Sequence, residues 1–100
     1  MVNTGINPKD KEKIIALISA LVPDAKIILF GSRARGKFLR SSDIDIALDA
    51  GKSLPELAVN EITDVLRGTD IMHKIEVLDF YDVSREMQDS IKQEGLVWKS

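Results

Sequence analysis

An α+β fold is predicted for this chain because strand-period and helix-period segments alternate along it. Three stretches carry the prediction. Residues 43–49, Asp-Ile-Asp-Ile-Ala-Leu-Asp, alternate with period two; Lys26-Ile-Ile-Leu-Phe30 is a short unbroken apolar run; and Ile14, Ile15, Leu17, Ile18 and Leu21 recur at helical spacing. One hundred residues are enough for one hydrophobic core with little surplus, so residues 1–100 read as a single domain.

Taken in order, Asn7-Pro8-Lys9-Asp10 reads as a helix start, and Pro23-Asp24 ends that helix. The apolar run at 26–30 reads as a strand, stopped abruptly by Gly31-Ser32. After a short basic loop comes the strand at 43–49. Gly51-Lys52-Ser53 then precedes a helix beginning near Leu54-Pro55, with Leu57, Ile62, Val65 and Leu66 as its buried stripe and Gly68 as its stop. His73 to Phe80 reads as a third strand, and a last helix follows Asp82 or Ser84 and runs to Gly95. The Leu96-Val97-Trp98 ending is apolar and is expected to pack on the domain's own core. No repeat or low-complexity segment interrupts this order.

The chemistry concentrates in the second strand. Asp43 and Asp45 share a face, with Ile44, Ile46 and Leu48 on the other, and their backbones lie roughly 6.5–7 Å apart by strand rise. Carboxylates converging from that separation can ligate two ions about 3.5–4 Å apart, the spacing that stabilises the attacking and leaving oxygens of a displacement at phosphorus. Asp49 shares the face but lies about 13 Å further along, too far to join, and reads as a solvated strand end. An isolated Asp-x-Asp is more simply an edge strand with one wet face. The glycine-serine turn upstream shifts that balance.

Gly31 permits positive φ and close backbone approach. Ser32 and the following amides, if Arg33-Ala34-Arg35 opens a helical turn, present donors to a phosphate, and Arg33, Arg35 and Lys37 add positive charge. The bland reading of these three cations is a basic surface loop. Gly31-Ser-Arg-Ala-Arg-Gly36-Lys37 also imitates a P-loop, but Phe38 stands where Ser or Thr should hold magnesium, and only five residues separate Lys37 from the aspartates.

Gly31-Ser32, ten residues, then Asp43-x-Asp45, with Ala34-Arg35-Gly36 and Ser42 between, resembles the minimal nucleotidyltransferase (MNT) family of the DNA polymerase β-like superfamily. Nearly the whole chain fits. The resemblance implies a polymerase β-like nucleotidyltransferase fold, a small mixed sheet with helices packed on one side. It further implies Mg²⁺ at Asp43 and Asp45, ATP as AMP donor, and pairing with a HEPN-domain toxin for which the MNT protein is the antitoxin.

Such sites draw on a third carboxylate from a neighbouring strand. Glu76 and Asp79 lie on opposite parities of the third strand, so pattern alone does not decide between them. Glu76, mid-strand, matches the position where the family carries Asp between apolar residues; Asp79 suits a turn or helix cap. The expected catalytic and metal set is therefore Asp43, Asp45 and Glu76, with Gly31, Ser32, Arg33 and Arg35 on the nucleotide. Glu in place of Asp leaves Glu76 open as metal ligand or as base.

The remaining features are bland or exclusionary. His73, the only histidine, reads as a surface residue; Tyr81 as packing; Met72 and Met87 need no cofactor. Apolar content of 44% and charged content of 30% are those of an ordinary soluble globule. No apolar run of about eighteen residues and no basic-then-apolar leader is present, so a cytoplasmic chain that neither spans a membrane nor is exported is expected. Zero cysteines exclude disulfides and cysteine-based zinc sites. A net charge of −2 disfavours a general nucleic-acid track. With no further acceptor-binding domain expected, a protein acceptor and a hetero-oligomer are favoured. Two other readings stay open: a non-catalytic antitoxin that neutralises its partner by binding, and a small-molecule nucleotidyltransferase.

Overall fold

The computed structural model describes residues 3–100. Its elements run α1 (Pro8–Leu21), β1 (Lys26–Phe30), α2 (Gly31–Ala34), β2 (Ile44–Asp49), α3 (Glu56–Arg67), β3 (Ile75–Asp79), one turn of 3-10 helix (Phe80–Asp82), α4 (Arg85–Glu94) and β4 (Leu96–Lys99). The start of α1 is set locally: Asn7 Oδ1 accepts from the Lys9 amide at 2.8 Å, and Pro8 occupies the first turn, where a missing N–H costs nothing. Ser84 caps α4 in the same way, through the Met87 amide.

The four strands lie in the order β3-β2-β1-β4. β1 pairs antiparallel with β2 and β4, and β2 pairs parallel with β3 through the α3 crossover, so the sheet is mixed. β4 is the element the sequence did not announce: Leu96 and Trp98 pack on the core as expected, but they do so as an edge strand registered on β1.

Alternation divides the sheet into two unlike faces. Ile27, Leu29, Ile44, Ile46 and Leu48 point to one side, where Ile14 and Ile18 of α1 and Ile62 and Leu66 of α3 close the main core. Leu57 departs from the expected stripe; the second residue of α3, it is exposed. On the other face α4 covers only one end, with Ile91 against Ile28, Ala47 and Phe80. The opposite end of that face is left to the carboxylates. Among the described residues no helix is long and apolar enough to cross a membrane.

Candidate functional site

Phe30, Asp45 and Glu76 are cross-strand partners on three adjacent strands, Phe30 with Asp45 and Asp45 with Glu76. Asp43, one residue before β2, falls on the same side. Each of Asp43, Asp45 and Glu76 offers one carboxylate oxygen, and these three oxygens lie within 4.8 Å of one another. The parallel register therefore separates the two candidates for the third carboxylate. Glu76 joins the cluster, whereas Asp79 is buried and accepts from the amides of Leu54 at 2.6 Å and Tyr81 at 3.0 Å, capping the 3-10 turn.

Three carboxylates this close repel one another. Burial, then the charges of Glu76 and Asp43, raise the Asp45 carboxyl above its ordinary range, and Arg35 draws it only partly back. Glu76 receives an ion pair from Lys74 Nζ at 3.2 Å, with both side chains more than half exposed. A surplus of negative charge, only partly offset by Lys74 and Arg35, on a set of oxygen donors fits a hard divalent cation such as Mg²⁺.

Gly31 explains why the cluster has room. It adopts φ +78°, and a Cβ there would collide with Asp45 Oδ2. A side chain at this position would push the carboxylate off its place, in addition to straining the backbone. Ser32 follows in the single turn of α2, whose N-terminal residue has no side-chain cap. Arg35 lies on the exposed side of that turn, 3.2 Å from Glu94 Oε2, near enough to act on Asp45.

Arg33 corrects the expectation placed on it. Its guanidinium is 1% exposed and turned inward. Nε donates to the Ser42 carbonyl at 3.1 Å, Nη1 to the Thr4 carbonyl at 2.9 Å, and Nη2 to the carbonyls of Arg40 at 3.1 Å and Ser42 at 2.9 Å. Its charge stacks 4.8 Å from the centre of the Phe38 ring. Buried and committed to these carbonyls, Arg33 organises the loop that carries Asp43 and presents no open face to a nucleotide. His73, expected on the surface, is half-buried; its Nδ1 lies 3.2 Å from Arg33 Nη2 and closes the same cage. Nothing in the sequence distinguishes the inward arginine from the outward one two residues later.

Residues 12–100 match the family described as "Polymerase beta, Nucleotidyltransferase". Over 77 residues, 77% of this chain and 68% of the relative, the sequence is 29% identical to a Haemophilus influenzae protein named "Probable protein adenylyltransferase MntA". A chain from a crystal structure of a toxin–antitoxin with AMP-PNP superposes with TM-score 0.76 at 29% identity, covering 88% of this chain and 71% of that one. A chain from the complex of a tri-AMPylated Shewanella oneidensis HEPN toxin with MNT antitoxin superposes with TM-score 0.71 at 25% identity, covering 90% and 69%.

Proposed function

Because the chain belongs to the polymerase beta nucleotidyltransferase family, we propose that it transfers AMP from ATP to a hydroxyl of a protein partner, a HEPN-domain toxin that it thereby neutralises. The observation that carries the reading is the convergence of Asp43, Asp45 and Glu76 beside the side-chain-free turn at Gly31. The partner comes from the relatives, one named an adenylyltransferase and one seen with an AMPylated HEPN toxin.

In this mechanism the acceptor oxygen bonds to the α-phosphorus of ATP while the bond from that phosphorus to the α–β bridging oxygen breaks. AMP ends up esterified to the acceptor, and pyrophosphate leaves. Asp43, Asp45 and Glu76 are the residues that would hold Mg²⁺, as two ions; when bound there it supplies positive charge against the negative charge that develops at phosphorus. Glu76, the most exposed of the three, would serve either as the third ligand or, left off the metal, as the base that takes the acceptor proton. Ser32 and the amides of its turn donate to phosphate oxygens, and Arg35 adds charge from the open side. Gly31 keeps the wall between triphosphate and Asp45 thin.

Incubation with α-labelled ATP, Mg²⁺ and the product of the neighbouring gene tests the reading. Label is expected on that protein, and none with Asp43→Ala/Asp45→Ala. An inert wild type, or a double variant as active as wild type, defeats it. If Asp43→Asn abolishes labelling but still neutralises the partner, binding alone is the protective act.

A further inference from the structure

Deepening the transfer reading above, we infer that the outer edge of β3 is where the acceptor docks, as an extended segment of the partner that adds a strand beside Glu76. The segment's hydroxyl-bearing residue falls on the Glu76 face, and an acidic neighbour falls on the opposite face against Arg67.

The edge is open and regular. β3 is terminal in the sheet, and its five residues pair with β2 without a register break. The Ile44 amide donates to the Lys74 carbonyl at 2.9 Å, which fixes the phase of the ladder: Lys74, Glu76 and Leu78 turn their backbone groups toward β2, so Ile75 and Val77 turn theirs outward. A groove of about 250 Å³ follows this edge from Lys74 to Leu78, flanked by Thr63 and Arg67 of α3. The opposite edge, β4, is shorter, has a register shift between Ile27 and Ile28 in its pairing with β1, and lies on the far side of β1 from Glu76. Of the two edges, β3 is the one that puts an added strand next to the carboxylates.

Alternation then assigns the occupant. Strands in a sheet sit about 4.8 Å apart, so a residue opposite Glu76 projects its side chain toward the cluster within reach of a tyrosine or serine oxygen. Its neighbours project to the α3 face. There Arg67 is exposed and makes no ion pair among the described residues, whereas Lys74, on the carboxylate side, is occupied by Glu76. An unpaired guanidinium beside open backbone donors and acceptors selects a carboxylate on the incoming strand.

The test is a nuclear magnetic resonance titration of the ¹⁵N-labelled full chain, without ATP, with short synthetic peptides carrying one tyrosine flanked by aspartates. Shifts centred on Ile75 and Val77, with slowed exchange of those two amides, are expected. Flanking lysines, or Arg67→Glu, should weaken binding about three- to tenfold. Val77→Pro removes an outward N–H and should weaken it at least about tenfold; Arg67→Glu, on an exposed helix end, gives the answer if the proline variant loses its dispersed spectrum. Shifts located elsewhere, equal affinity for the lysine-flanked peptide, or self-association through β3 in the free protein would each overturn the proposal. With ATP absent, the outcome is independent of AMP transfer: a chain that binds the peptide but labels nothing sinks the transferase reading alone.

Discussion

The two faces of β2 show how one strand serves two opposed demands. Toward α1 and α3 it presents Ile44, Ile46 and Leu48, all fully buried. Toward the site it presents Asp45, half-exposed and crowded by two other carboxylates. Burial of branched side chains on one face stabilises the strand enough to hold a repulsive cluster on the other. Position and stability are thus supplied from different sides of the same backbone.

The largest effect that would break this division is chemical. Asp45→Asn should lower AMP transfer about 10²–10³-fold or more, measured in single turnover, while leaving the fold intact. On the opposite face Ile46→Ala should cost about 2–5 kcal/mol in urea unfolding with little change in the slope of the transition. Arg33→Met should cost about 2–4 kcal/mol, because the Thr4, Arg40 and Ser42 carbonyls lose their donors in a buried place. Lysine should recover little of that loss, since one ammonium cannot span three carbonyls.

A smaller effect sharpens the comparison by its sign. The folded Asp45 carboxyl lies above its unfolded value, so its contribution to stability is favourable below the unfolded pKa and is lost as pH rises through the folded one. At neutral pH the ionised group therefore destabilises the fold. Asp45→Asn should raise Tm by on the order of a few degrees in chelator at pH 7, and this advantage should vanish near pH 3 or when Mg²⁺ is added. Smallest of all, Lys13→Ala should leave the urea midpoint indistinguishable from wild type, because its pair with Asp70 is solvated on both sides.

The carboxylates were legible because strand alternation is a local property: Asp43 and Asp45 share a face whatever the rest of the chain does. Glu76 was legible only as one of two candidates, since its parity acquires meaning once the parallel register with β2 is known. Arg33 was misplaced because a four-residue helix has no periodicity to orient it, and the carbonyls that draw it inward come from Thr4 and the 40–42 loop. β4 escaped notice for a related reason. Four residues carry too little alternation to separate a strand from an apolar tail, and their pairing partner lies about seventy residues upstream.

The Thr4 carbonyl, accepting from Arg33, makes the stretch ahead of α1 part of the foundation of the loop that leads to Asp43. Purification tags, fusions or trims that tug on that stretch would loosen the loop leading to Asp43 from some forty residues away in sequence. Strain introduced at Thr4 would then lower the proposed transfer while every carboxylate remained in place.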